Sequence, residues 1–186
     1  VSQEFARHTF TVEEYELMGQ TGVLPPDRRT ELLEGEIFDM SPIGIAHAAC
    51  VDFLNEYLTK ISEGAFIVRC QNPVFLDDRS EPQPDITLLR RRDDRYRSAR
   101  PTPADVLLLV EVADSSLGFD RQQKLPLYAK NGIPEVWIVN LSVEQVEVHA
   151  QPEESTYRLT QILRRGEIVE ARSIEGVKIP VDDIFG

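Results

Sequence analysis

The sequence predicts an α/β fold, a mixed β-sheet flanked by helices, on three observations. Val106-Leu-Leu-Leu-Val-Glu-Val-Ala113 is an apolar run of strand length, and Ile133 to Leu141 is a second. Such near-continuous runs belong to strands covered on both faces. Between them lies a polar-apolar segment with helix signals, the order expected when a helix links two strands of one sheet. Upstream, Ala46, Cys50, Phe53, Tyr57 and Ile61 recur at helical spacing and mark a long amphipathic helix.

The 186 residues suit one domain with a real core. Within it, 1–44 reads as an N-terminal helix and hairpin extension, 45–141 as the core and 142–186 as C-terminal strands. No apolar run approaches membrane-spanning length, and Val1-Ser-Gln-Glu-Phe5 shows no basic region followed by an apolar one. A cytoplasmic protein without membrane partners is the expectation. Cys50 and Cys70 stand apart, with no Cys-x-x-Cys or Cys/His cluster, and read as buried thiols rather than zinc ligands or a disulfide. The formal net charge of -12 excludes a surface that tracks phosphate everywhere.

Taken in order, Thr11-Val-Glu-Glu14 predicts a capping box opening a short helix that Gly19 and Gly22 end. Pro25-Pro26-Asp27 is a turn, and 29–40 alternates around Glu34-Gly35-Glu36 as a hairpin. The long helix spans 45–61 and closes at Gly64. Residues 65–76 are expected to be extended, with Pro73 interrupting. Pro84 suits the first position of a strand, here one that carries Asp85. The segment 90–103 is a long loop with or without a helical turn, and 104–113 is the buried strand. A helix over 120–131 is predicted with Asp120 as N-cap and Gly132 past its end, although Pro126 then falls in its interior. Strands over 133–141, 143–149 and 157–163 follow, the last two as a meander, and 181–185 is a docked terminal segment.

The chemistry concentrates where charge interrupts apolar strands. Asp85 and Glu111 lie on consecutive predicted strands, which are often sheet neighbours. A lone buried carboxylate is costly unless it is paired or binds a metal. Two readings are open: a shared hard cation, Mg²⁺ or Mn²⁺, completed by water and a backbone carbonyl, or a structural ion pair with Arg90 or Lys124. Lys124, on the helix after the strand, is either a group that orients water and stabilises a pentavalent phosphorus, or a solvated lysine.

Further candidates each carry an ordinary alternative. His47 acts at the site or bonds the 41–45 loop. Gln71 reaches the site or is a strand-edge glutamine. Glu34 is an added acidic group or, with Glu31 and Glu36, part of a solvated hairpin face. Six arginines fall within 90–100. Arg91, Arg92, Arg95 and Tyr96 in that stretch are candidates for phosphate contact and base stacking, set against a charged loop. Trp137 reads as core. A Gly-x-Ser-x-Gly elbow, a Walker loop and a His-Glu-x-x-His motif are all absent from the sequence, which argues against other hydrolase classes.

Pro84-Asp85, Glu111 in an apolar strand, and Asp120…Lys124…Tyr128-Ala129…Gly132-Ile-Pro-Glu-Val-Trp-Ile-Val139 occur here in one order. With Phe10-Thr-Val-Glu-Glu-Tyr15, Glu31-Leu-Leu-Glu-Gly-Glu36, Met40-Ser-Pro42, His47 and Val181-Asp-Asp-Ile-Phe185, this combination resembles the Uma-type family of bacterial restriction-endonuclease-like proteins, within the PD-(D/E)XK nuclease superfamily. The resemblance spans nearly the whole chain. It implies a restriction-endonuclease-like core and a Mg²⁺- or Mn²⁺-dependent nuclease, with Asp85 and Glu111 as metal ligands and Lys124 as the catalytic lysine. The implied partner is nucleic acid, DNA ahead of RNA, and a homodimer is expected by analogy with nucleases that reach two strands. The superfamily's Glu-x-Lys lysine would fall at Ala113, so the resemblance implies a lysine displaced to position 124. The competing expectation is a non-catalytic module that keeps the fold and acts through a protein or nucleic-acid partner.

Overall fold

The computed structural model describes residues 7–186; the Val1–Phe5 stretch read above lies outside them. Thr11 caps α1 (Val12–Thr21) through the predicted box, its hydroxyl accepting from the Glu14 N–H while Glu14 accepts from the Thr11 N–H. Gly22, at φ 77°, ends the helix in the left-handed conformation. β1 (Thr30–Leu33) and β2 (Glu36–Asp39) form the expected hairpin. Its two-residue turn has positive φ at both Glu34 and Gly35, the type I′ geometry that matches strand twist. A Cβ at Gly35 would sit 2.6 Å from Thr9 Cβ, so both conformation and space require glycine there.

α2 (Ile45–Ser62) buries Cys50, Val51, Leu54 and Leu58. Then come β3 (Phe66–Cys70), β4 (Ile86–Arg90), β5 (Val106–Ala113), the short α3 (Leu117–Phe119) and α4 (Leu125–Lys130). β6 (Glu135–Asn140), β7 (Gln145–Glu153), β8 (Thr156–Arg164), β9 (Ile168–Glu170), β10 (Lys178–Pro180) and α5 (Val181–Phe185) complete the order. β3 to β8 build one six-stranded sheet in sequence order, with β5 and β6 parallel and the other neighbours antiparallel. β9 and β10 pair as a separate ribbon.

Period-2 alternation divides the core between the two faces. Leu108, Val110 and Val112 of β5 join Trp137 and Val139 of β6 under α2 and α5. Leu109 and Ala113 face the other way, with Val136, Ile138 and the α4 residues Leu127 and Tyr128. Burial on both faces explains why β5 and β6 read as near-continuous apolar runs.

Four expectations are corrected. The extended stretch predicted over 65–76 is a strand only at Phe66–Cys70, and Asp85 immediately precedes β4 instead of lying within it. Separately, the β9–β10 ribbon is not among the predicted strands, since three-residue strands give too little alternation to detect. Asp120 is not an N-cap. The helical segment starts earlier, at Leu117, and Asp120–Lys124 forms a π turn in which the Leu125 N–H reaches the Asp120 carbonyl. That wide turn joins directly onto α4, so Pro126 lies at its start, where a missing N–H costs least.

Candidate active site

The β4–β5 register pairs Ile86 with Val110, and one step further it sets Asp85 opposite Glu111. Directly opposed residues project to the same side of a sheet. Both carboxylates are buried, at 6% and 3% exposure, at the end of the strands where a cleft of about 350 Å³ opens. The Asp85 carboxylate is held by three donors. Oδ2 accepts from the Val112 N–H at 2.9 Å and lies 3.1 Å from His47 Nε2, while Oδ1 accepts from Gln71 Nε2 at 3.0 Å. Burial alone would raise its pKa, but these bonds, led by His47, keep it below the ordinary carboxylate value. Gln71 is fixed in turn by its own N–H, which donates to the Asp85 carbonyl at 2.9 Å.

Glu111 looks toward the helical segment. Its Oε1 accepts from Lys124 Nζ at 3.2 Å and from the Tyr128 hydroxyl at 2.5 Å. Lys124 Nζ also contacts Glu31 Oε2 at 3.1 Å, and the same Oε2 accepts from the Gln83 N–H. Asp120 is buried nearby and accepts from the Ser116 hydroxyl at 2.6 Å. The ion-pair alternative for Glu111 is thus present with Lys124, while Arg90 turns to the Ala104 carbonyl.

One lysine faces a surplus of negative charge. Burial opposes ionisation of Lys124, yet Glu111, Glu31 and Asp120 outweigh it and hold the ammonium above its ordinary pKa. Burial pushes the Glu111 carboxyl up to about 8, with Lys124 opposing and Asp120, Asp85 and Glu31 adding to the rise. The two directions are compatible. The charged form of Lys124 is favoured by its acidic neighbours, while burial disfavours the charged forms of Glu111 and Asp120.

His47 lies at the start of α2, and its pKa is raised, first by the Asp85 hydrogen bond. Its Nδ1 is buried with no hydrogen-bond partner among the described residues. The other candidates fall elsewhere. Glu34 is exposed at the hairpin tip, 2.9 Å from Lys130. Arg91 donates to the Gly64 carbonyl, and Arg92 makes a two-pronged contact with Asp94. Arg95 is exposed, and none of these arginines lines the cleft. Tyr96 is corrected as a stacking platform. Its ring is 6% exposed, flanked by Arg92 at 4.7 Å and Arg69 at 5.4 Å, with its hydroxyl donating to the Arg90 carbonyl.

Three residues at the cluster were missed as site residues. Tyr128 was findable, since it stands four residues after Lys124 on the same helical face. Glu31 gives no such signal, because all four residues of β1 are buried and the alternation that separates faces is lost. Asp120 was assigned to a cap because capping and buried clusters favour the same residue type.

The donor set fits a hard cation. Asp85 and Glu111 offer oxygen ligands on one cleft wall, and the raised pKa of Glu111 marks a place where its charged form lacks compensating positive charge. Among the described residues no three His, Cys, Asp or Glu side chains converge as a ready cage. An ion held here would complete its shell with water and backbone oxygen, as Mg²⁺ commonly does.

A family model described as Uma2, "Putative restriction endonuclease", matches residues 12–182. Among solved structures, the chain is similar to a protein from Anabaena variabilis ATCC 29413 described as a putative nuclease belonging to DUF820. The two are 13% identical, the match covers 90% of this chain and 96% of that one, and the TM-score is 0.71. That likeness establishes a shared fold. No curated protein matches. No helix among the described residues is long and apolar enough to cross a membrane.

Proposed function

The chain belongs to the Uma2 family of putative restriction endonucleases, and on that premise we propose that it is a Mg²⁺- or Mn²⁺-dependent nuclease that hydrolyses phosphodiester bonds, DNA ahead of RNA. The observation that carries this reading is a buried Lys124 in contact with Glu31 and Glu111 and near Asp120, in the wall of the same open cleft that Asp85 lines. The family's restriction-endonuclease description supports DNA as the substrate.

Asp85 and Glu111 would hold the cation. When bound, it lowers the pKa of a water ligand and neutralises charge that builds on the phosphoryl group. Hydrolysis forms a bond from the water oxygen to phosphorus and breaks the ester P–O bond, with a proton passing to the leaving oxygen. Around that event the chain's own groups orient and stabilise. His47, Gln71 and the Val112 N–H fix Asp85, so its oxygens are aimed before substrate arrives. Tyr128 fixes Glu111. Lys124 is held charged, which makes it a poor general base and a good electrostatic partner for the negative charge of the transition state. A lysine at position 124 beside Glu111 supplies the cation that Ala113 does not.

The test is cleavage of DNA and RNA by the purified chain with Mg²⁺ or Mn²⁺, against EDTA controls. Asp85→Ala and Glu111→Ala should each lower the rate about 10²–10³-fold or more, the scale set by loss of one charge-stabilising group. Cleavage that persists in either variant would sink the assignment. Metal binding without cleavage of any substrate would favour the non-catalytic module.

A further inference from the structure

The cleft contains groups that metal-assisted hydrolysis leaves unused. Arg29 follows the Pro25-Pro26-Asp27 turn and immediately precedes β1. Its backbone is anchored, since its carbonyl accepts from the Met40 N–H at 2.9 Å. Its side chain lines the same cleft as Asp85, and Nη2 is buried without a hydrogen-bond partner among the described residues. A buried donor left unmet is costly, and arginine cannot relieve the cost by losing its proton. A ligand that brings an acceptor into the cleft would meet this donor. In a nuclease cleft, the acceptor suited to a guanidinium fork is a phosphate oxygen.

Phe38 of β2 and Phe119 of α3 also line this cleft. Their rings meet edge to face with centroids 5.2 Å apart, and both are only partly buried. At about 350 Å³ the space lies at the small end of ligand pockets. A base inside a duplex has its faces covered by its neighbours, whereas an unpaired base offers one to an aromatic side chain.

We infer that the cleft is a single-nucleotide subsite, with Arg29 holding a phosphate and the Phe38–Phe119 pair receiving an unpaired base, so that the strand is single or locally melted where it is cut. The inference rests on the nuclease reading and adds the class of substrate.

Binding separates the two. Fluorescence anisotropy with a labelled oligonucleotide, single-stranded or annealed to its complement, is measured in Ca²⁺. The single strand should bind at least about tenfold more tightly than the duplex. Phe119→Ala should weaken single-strand binding about tenfold, the scale of lost base stacking. Phe119→Leu keeps the packing against Phe38 but removes the aromatic face, so it should weaken binding even if the alanine variant folds poorly. Arg29→Gln should weaken it comparably, with Arg29→Lys intermediate because charge remains and the fork is lost. Circular dichroism and thermal unfolding confirm that each variant is folded. Equal affinity for duplex and single strand, no binding of either, or folded variants that bind like wild type would overturn the subsite, whatever the Mn²⁺-dependent cleavage assay shows. Preferred single-strand binding lost in the variants, with no cleavage of any substrate, would support the subsite and overturn the nuclease reading alone.

Discussion

Lys124 is 4% exposed, an extreme position for a side chain that usually stays in water. It is tolerated because Glu31 and Glu111 both touch the ammonium and Asp120 lies near. Removing the cation strands these carboxylates. Lys124→Met should therefore destabilise the protein by about 3–5 kcal/mol, the usual cost of breaking a buried pair from one side. Urea unfolding measures it, and a loss below about 1 kcal/mol would mean the cluster relaxes into solvent. Cys50 illustrates burial acting on a neutral group. Its thiol is pushed up to about 12, first by burial and then by the Asp85 charge. The thiolate is the reactive form, so at pH 8 Cys50 stays protonated and inert. Ellman's reagent should titrate at most one thiol in the native chain, Cys70, and two in urea; fast reaction of both natively would refute this. At this scale Glu111 stood out because a charge inside an apolar strand demands a partner, and Asp85 because it adjoins the start of one. Glu31 was not, because nothing local distinguishes a buried hairpin glutamate from a solvated one.

The π turn at Asp120–Lys124 is the element that sets the lysine's position. A capping box and a terminal glycine announce α1 and an apolar stripe announces α2, and both emerged nearly as predicted. A π turn has no such residue code. Its trace in the sequence was Pro126, which looked like a helix breaker and instead marks where the wide turn ends and α4 begins. Pro126→Ala restores an N–H and allows the segment to tighten toward regular α-helix, which would rotate Lys124 relative to Glu111. Cleavage should fall several-fold while the unfolding midpoint changes little, since a proline at a tolerated position is replaced by a good helix former. Unchanged cleavage would mean that packing of Leu127 and Tyr128 against the sheet, and not the proline, sets the register. The arginine-rich loop shows another limit. Its composition left a nucleic-acid surface and an ordinary charged loop both open, and Asp94 gathers Arg92, the Tyr96 N–H and Ser98 into a turn that turns the Tyr96 ring inward. Which way a loop folds depends on bonds among its own side chains, and composition does not report them.

Across the whole molecule, a net charge of -12 accompanies a site that itself holds more carboxylates than cations. The mixed sheet flanked by helices followed from apolar runs and the helical segment between them, but bringing β1, β5, the π turn and the residue before β4 to one cleft is a product of tertiary structure. That convergence has a thermodynamic consequence. Like charges held close in a buried cluster oppose folding unless a cation or a proton joins them. Glu111→Gln takes away a carboxyl whose charged form burial disfavours, and its side-chain oxygen remains available to Lys124 and Tyr128. It should raise the metal-free melting temperature by a few degrees, since about 1 kcal/mol corresponds to about 2–4 °C at this size. Asp85→Asn should do the opposite, because its new amide group meets donors that now face the carboxylate. In the wild-type chain, Mn²⁺ at about 100 times its dissociation constant should add about 2.7 kcal/mol of stability, a rise of several degrees. Both variants should lose that rise. Scanning calorimetry with Mn²⁺ and with EDTA reads all of these outcomes. A Glu111→Gln protein that melts lower than wild type in EDTA, or that keeps the full Mn²⁺ shift, would show that Glu111 serves the fold through Lys124 and not the cation.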